Sequence, residues 1–348
     1  MLNKVISIIT WFMLLILTGC GDVPYAEELS AQERTVTLNL DITTKATADP
    51  AESPDNFHLW IFNDDKLLKY ISDTPTWEQV DNGDIDLRTF VKTEIDATGV
   101  TAIQFYLLLN VPDGTITDVN AMEPGSLKTL TFTLPEQVYS HDNKVPMSGE
   151  ATLDISLSQL HYDVRIDAIR SVAKLGIYCT KGNPSSNLTI NQITLSKVPD
   201  IGYLFEPVDD NLIEYTGTKE LLSSTEPMIV NSFYIGDMPA YSDNSWAETA
   251  EANFDEVSSP YLLENPKGEV TDDGFLQVDG TVLDDRYCIT LDYTLNEAKY
   301  TKKIYVSQIE RNQYSKIYIR INDAITVEDI YCQVNSWTEH IMDVPAFE

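Results

Sequence analysis

Apolar and polar residues alternate along most of this chain, and this period of two predicts β-strands. In TVTLNLDIT, residues 35–43, the aliphatic side chains would share one face, namely Val36, Leu38, Leu40 and Ile42. Similar short apolar runs recur as far as residue 337, with Pro, Gly, Asn and Asp between them. Short strands at this spacing predict an all-β protein built of β-sandwiches.

The strand runs fall into two groups. Between them lies VPDIGYLFEPVDDN, residues 198–211, which carries two prolines and three aspartates. Such turn-forming residues predict a domain boundary here, with a first domain at 35–203 and a second at 204–348. Residues 241–259 are rich in Ser, Ala, Asp and Glu and predict either a long loop or a short helix.

The chain begins with a pattern typical of an export signal. Lys4 precedes an apolar run at 5–17, which is shorter than the roughly 20 residues of a membrane-spanning helix. The run ends in Leu-Thr-Gly-Cys, which resembles the lipobox of bacterial lipoproteins. The resemblance implies a signal peptide at 1–19, lipidation of Cys20, and a polar tether at 20–34. The alternative is an ordinary signal peptide.

Composition narrows the classes of partner. Lys and Arg number 23 against 55 Asp and Glu, which gives a formal net charge of -32. This balance argues against binding to nucleic acid or to anionic lipid, because both need a positive surface. After Cys20, three widely spaced cysteines remain, Cys179, Cys288 and Cys332, and we expect them to be small buried side chains in strands.

The sequence carries no catalytic or metal-binding motif. Its four histidines never stand at metal-ligand spacing, and no phosphate-binding loop or nucleophile motif is present. Carboxylates are so numerous that a pair at glycosidase distance would not be specific. We therefore expect neither an enzyme nor a cofactor or metal.

Three regions together resemble the fimbrillin family, the subunits of bacterial type V pili. The first is the lipobox, tether and alternating strand, followed by Lys45. The second is VPMSG at 145–149 with IRSVAKLGIY at 169–178 and the strand run after it. The third is the C-terminal run from IERNQYSKIYIRI at 309–321 to residue 348.

The resemblance implies two transthyretin-like β-sandwich domains in tandem and a subunit exported as a lipoprotein. It further implies that a trypsin-like protease cuts between Lys45 and Ala46 and removes strand 35–43. A donor strand from the C-terminal region of a neighbouring subunit would then fill the groove. The donor residues implied here are Val334, Trp337, Ile341, Met342, Val344 and Phe347.

The family typically has arginine at the processing position, so Lys45 leaves two fates open. Either the chain is cut and polymerises, with Arg34 as a second candidate cleavage site, or it stays uncut as a membrane-retained anchor. We expect a structural subunit of a cell-surface fimbria on the outer membrane that contributes to adhesion. Its partners would be other fimbrial subunits and a host or bacterial surface ligand. A glycan-binding surface lipoprotein is the alternative from another class.

Overall fold

The computed structural model describes residues 33–44, 50–81, 85–135, 139–140, 144–207, 213–239, 245–267, 276–278, 285–306, 308–322 and 327–336. Most of them lie in β-strands, which confirms the predicted all-β class. In the first half the strands are β1 (Thr35–Thr44), β2 (Phe57–Asn63), β3 (Lys66–Ile71), β4 (Glu78–Asp81), β5 (Ile85–Asp96), β6 (Ala102–Leu109), β7 (Thr131–Phe132), β8 (Met147–Asp154) and β9 (His161–Arg170).

The remaining strands are β10 (Ala173–Lys181), β11 (Leu188–Val198), β12 (Gly202–Tyr203), β13 (Gly217–Leu222), β14 (Met228–Val230), β15 (Asp255–Ser258), β16 (Tyr261–Leu262), β17 (Leu276–Val278), β18 (Cys288–Leu295), β19 (Ala298–Val306), β20 (Gln313–Ile321) and β21 (Val327–Ser336). The helical elements are a 3-10 turn (Pro50–Glu52), α1 (Pro124–Lys128) and α2 (Ser245–Asn253). Helix α2 confirms the short-helix alternative for the stretch at 241–259. No described helix is long and apolar enough to cross a membrane.

Strands β1 to β6, β8 and β9 form one eight-stranded sheet in the order β3-β2-β6-β8-β9-β1-β5-β4. Side chains of β1 and β9 nevertheless share a core with side chains of β2 and β6. Neighbouring strands lie about 4.8 Å apart, so β1 and β2 can meet only if the sheet folds over between them. The sheet bends where β8 pairs with β9, and this pairing is limited to two residue pairs, Met147 with Arg170 and Ser148 with Ile169.

A second pair of sheets encloses a separate core. One has the order β15-β10-β20-β21, with β16 also on β10, and the other has the order β13-β11-β18-β19-β17, with β14 also on β11. Cys179 on β10 and Cys288 on β18 are both buried, as expected for small apolar side chains in strands. Their burial raises the pKa of both thiols, so neither is poised to react.

The sheets divide earlier along the chain than the sequence predicted. Strands β10 and β11 pair with strands of the second half, so the sheets separate between Arg170 and Ala173. A division at 198–211 is therefore wrong for the sheets. The turn residues of that segment do end β11, but the segment also carries Leu204 and Phe205, which are buried where the two halves meet. The segment is therefore packed between the two halves of the chain and is not a flexible linker.

Candidate functional site

Strand β1 is an interior strand of the eight-stranded sheet. It pairs antiparallel with β5 along all ten of its residues and parallel with β9 from Thr37 to Thr44. Because both edges are hydrogen-bonded, removing β1 would open two ladders at once. In the described part of the chain, β5 pairs only with β1 and β4. Strand β1 is thus the sole ladder connecting the β4–β5 hairpin to the rest of this sheet.

The inward face of β1 is fully buried. Val36, Leu38, Leu40 and Ile42 are each 0% exposed and pack into the core with side chains from β2, β6 and β9. Burial of each such side chain stabilises the fold by about 1.5–3 kcal/mol. The structure therefore places the four aliphatic residues together as the sequence predicted. Whether the strand is removable stays a prediction.

The outward face of β1 carries polar residues, and three of them contact charged side chains of the neighbouring strands. Asn39 Nδ2 donates to Asp163 Oδ1 over 2.9 Å, and Thr43 Oγ1 donates to Asp167 Oδ1 over 2.5 Å. The carboxylate of Asp41 accepts two hydrogen bonds from β5, as described next.

Arg88 on β5 donates to both carboxylate oxygens of Asp41, with Nε 2.6 Å from Oδ1 and Nη2 2.5 Å from Oδ2. This hydrogen-bonded pair lowers the pKa of Asp41 below its usual value, because the guanidinium favours the charged carboxylate. The guanidinium also lies 4.5 Å from the ring centre of Phe90, which holds it on the sheet surface. Nothing in the sequence alone singled out Arg88.

Arg34, the second candidate cleavage site, is held in place at the start of β1. Its Nη2 donates to the carbonyl oxygens of Ser156 and Gln159, and its own carbonyl accepts from Ala97 N over 2.7 Å. A protease needs an extended, accessible backbone, so these contacts disfavour cutting at Arg34. The preferred cleavage site, Lys45 and Ala46, lies outside the described residues, as does Cys20.

One of the expected donor residues lies in a described strand. Val334 lies in β21, which pairs antiparallel with β20, and Val334 itself stands opposite Ser315. Its backbone therefore belongs to the chain's own sheet here, and its role as a donor stays a prediction. The other expected donor residues, Trp337, Ile341, Met342, Val344 and Phe347, lie outside the described residues. Among the strands that the structure describes, β21 is at the edge of its sheet.

Two buried ion pairs lie where the halves meet, and the sequence analysis identified neither. Arg170 Nη2 is 2.5 Å from Glu52 Oε2, and both side chains are about 1% exposed. Arg311 contacts Glu264 and donates to the carbonyl oxygens of Tyr203 and Leu204. Pattern analysis could not have found them, because the partners are far apart in sequence.

A cavity of about 310 Å³ lies between Leu134, Pro135 and Tyr139 on one side and strands β13, β15 and β16 on the other. Lys219 also lines it. Tyr139 and Tyr261 pack edge to face 5.3 Å apart and are both buried, so they offer no flat exposed ring to a sugar. No group of His, Cys, Asp or Glu among the described residues could hold a metal ion.

No family model and no curated protein matches this chain. Solved structures do match it. The tip fimbrial protein Mfa3 from Porphyromonas gingivalis, with a C-terminal truncation, has a TM-score of 0.51 at 13% identity and covers 86% of this chain and 98% of its own. A fimbrial assembly protein from Parabacteroides distasonis has a TM-score of 0.51 at 9% identity and covers 89% and 100%.

A candidate cell adhesion protein from Parabacteroides distasonis has a TM-score of 0.51 at 15% identity and covers 88% of this chain and 98% of its own. The chain therefore has the fold of fimbrial and cell adhesion proteins. This match agrees with the fimbrillin-like family that the sequence resembles.

Proposed function

We propose that this chain is a non-enzymatic structural subunit of a cell-surface fimbria that assembles by protease-triggered strand exchange and contributes to adhesion. One observation carries the proposal. An entire interior strand, β1, supplies four fully buried side chains, and a basic residue, Lys45, directly follows its end. The fold shared with fimbrial proteins supports the same role.

Loss of β1 would leave a groove that demands a replacement. The core would lose four aliphatic side chains, and β5 and β9 would each expose a row of unpaired backbone groups. Strand addition from another chain satisfies both needs, because ladder hydrogen bonds provide affinity and pockets receive alternate side chains. We propose that cleavage between Lys45 and Ala46 creates this groove and that a neighbouring subunit fills it.

In the same proposal the precursor is held at the outer membrane by acyl chains on Cys20, since each buried methylene contributes about 0.8 kcal/mol. Residues 337–347 would serve as the strand donated to a neighbouring subunit. The two sets of sheets would be the two tandem domains that the family resemblance implies.

A membrane-retained anchor is the second candidate, and it differs only in keeping β1. A cut at Arg34, which precedes β1, would leave the strand attached to its domain, so a chain that is not cut at Lys45 keeps β1 and corresponds to the anchor. A glycan-binding role has weaker support, since the two tyrosines nearest the cavity are buried.

The deciding experiment is N-terminal sequencing of the protein recovered from the cell surface. A start at Ala46 supports the polymerising subunit, whereas a blocked start at Cys20 supports the anchor. Limited trypsin treatment of the folded precursor should cut at Lys45 and, with the other fimbrial subunits present, trigger polymer formation. Lys45→Gln should prevent both, while Lys299→Gln, at an exposed position in the β18–β19 hairpin, should change neither. Fibres formed equally well by Lys45→Gln would refute the mechanism.

A further inference from the structure

The polar face of β1 makes a set of contacts that the aliphatic face does not require. Opposite Asn39 lies Asp163, and opposite Thr43 lies Asp167, both on the parallel strand β9. Between these two positions, Asp41 is bound by Arg88 from β5 on the other side. Along the face, β9 presents Asp163, Arg165 and Asp167 at successive outward positions of β1. Arg88 of β5 stands opposite Thr43 in register and reaches diagonally to Asp41.

We propose that Arg88, Asp163 and Asp167 select the strand that occupies the position of β1, and that this strand comes from a chain other than this one. The proposal rests on the proposed function, in which β1 is exchanged. It defines the occupant chemically. The strand has four alternating aliphatic side chains, an acidic residue facing Arg88, and hydrogen-bond donors two residues before and after that acid.

The two faces fix the register in different ways. A shift by one residue would turn the aliphatic side chains outward, so the core excludes it. A shift by two keeps the aliphatic face inward, and only the polar face can exclude it. In one direction such a shift sets the strand's acid opposite Asp163, and in the other opposite Asp167. Like charges directly opposite each other are destabilising, so an aspartate of β9 opposes each of the two shifts. The shift toward the position of Asn39 also moves the acid away from Arg88, which stands opposite Thr43 on β5.

The chain's own C-terminal tail does not meet these requirements in the direction of β1. With Asp343 opposite Arg88, two of the four inward positions receive polar side chains, Thr338 and His340. Pro345 then occupies an outward position and has no N–H to give to a ladder.

The tail's other acidic residues fit no better. With Glu339 opposite Arg88, Ser336, Thr338 and His340 take three of the four inward positions. With Glu348 at the position of Asp41, Asp343 takes the inward position that Val36 has in β1. Burying such polar groups without partners costs several kcal/mol. Self-association of the tail through this groove in the direction of β1 is therefore disfavoured, and we assign the occupant to another polypeptide.

A peptide-exchange experiment on the full chain tests this inference. Residues 45–49 are replaced with the recognition site of a sequence-specific protease, and the cut protein is incubated with labelled peptides. The peptide TVTLNLDITT, residues 35–44, should exchange into the groove. The same peptide with Asp41→Lys should bind at least tenfold more weakly, and Arg88→Glu in the protein should reverse that preference. Thr35→Lys in the peptide places the same lysine at an exposed position and is the control, although it changes the charge by one unit where Asp41→Lys changes it by two.

The possible outcomes distinguish a failure of this inference from a failure of the proposed strand exchange. If even the native peptide does not exchange, strand exchange itself fails. If native and Asp41→Lys peptides bind equally well, or Arg88→Glu does not reverse the preference, the selection by Arg88 is refuted while exchange stands. A peptide of residues 334–348 should not compete. If it displaces the native peptide at equal concentration, the assignment to another chain is overturned.

Discussion

Glu52 and Arg170 form an ion pair in which Nη2 lies 2.5 Å from Oε2 and both side chains are almost wholly excluded from water. Tyr261, from the second half of the chain, donates its hydroxyl to the other oxygen of Glu52 over 2.8 Å. Arg170 Nη1 reaches Asn312 Oδ1 over 3.1 Å. A carboxylate that follows β1 by a short connection thus ties both halves together.

Glu52→Gln should be strongly destabilising, because it leaves the guanidinium of Arg170 buried without its carboxylate. Breaking a buried pair in this way costs about 3–5 kcal/mol of unfolding free energy. Urea unfolding measures it. The control is Asp285→Asn, which breaks the exposed pair with Lys197 and should cost less than about 1 kcal/mol. Equal losses of unfolding free energy in the two variants would show that the buried ion pair stabilises the fold no more than the exposed one.

Leu38→Ala should destabilise the uncut chain by about 2–5 kcal/mol, because the side chain is fully buried and its removal leaves a cavity in the first core. Thr35→Ala, at an exposed position of the same strand, should stay within about 0.5 kcal/mol of wild type. Thermal unfolding provides the comparison. A Leu38→Ala variant as stable as the control would mean that β1 contributes little to the core.

The Asp41–Arg88 pair should make stability depend on pH in the acid range. The pKa of Asp41 is lowered in the folded state, so the unfolded chain binds more protons in the window below the usual aspartate pKa. The contribution of the ionised Asp41 carboxylate to the free energy of unfolding is therefore present above about pH 4. It is lost as the pH falls through the pKa that Asp41 has in the folded state. The urea midpoints of wild type and Asp41→Asn should differ at pH 7 and converge at low pH. A constant difference would contradict this assignment.

Deletions at the C-terminus should separate the closing strand from the tail. Removing residues 327–348 deletes β21 and its ladder with β20, so the monomer should melt at a lower temperature. Removing only residues 338–348 should leave the melting temperature of the monomer unchanged and abolish assembly with other subunits. A monomer that unfolds after the shorter deletion, or one that still assembles, would defeat the donor assignment of the tail.

Cys20→Ser should abolish lipidation, because acylation needs the thiol. Cells expressing the variant and labelled with a radioactive fatty acid should show no labelled band for this protein. Cys288→Ser is the matched control, since that thiol is buried in a strand and should leave labelling intact. Unchanged labelling of Cys20→Ser would show that the apolar run before it is an ordinary signal peptide.

Short-range pattern predicted the elements of this fold well. The alternation at 35–43 corresponds to β1, with its four aliphatic side chains buried, and the cysteines at 179 and 288 lie buried in strands. Such positions are predictable because the side-chain direction in a strand repeats every two residues. Local pattern did not predict the environment of Arg311 in the stretch IERNQY, which is only 8% exposed and is bound to Glu264 and two carbonyl oxygens.

The sequence by itself determined the class of strand-built protein, the inward face of β1 and the absence of a recognisable catalytic motif, because these depend on residues close together in the chain. Only the tertiary structure decided which strands share a sheet, and it assigned β10 and β11 to the second half. It also decided that Arg88 meets Asp41 and that Glu52 meets Arg170. Strand order and long-range ion pairs depend on which distant segments pack together, and no local period encodes that choice.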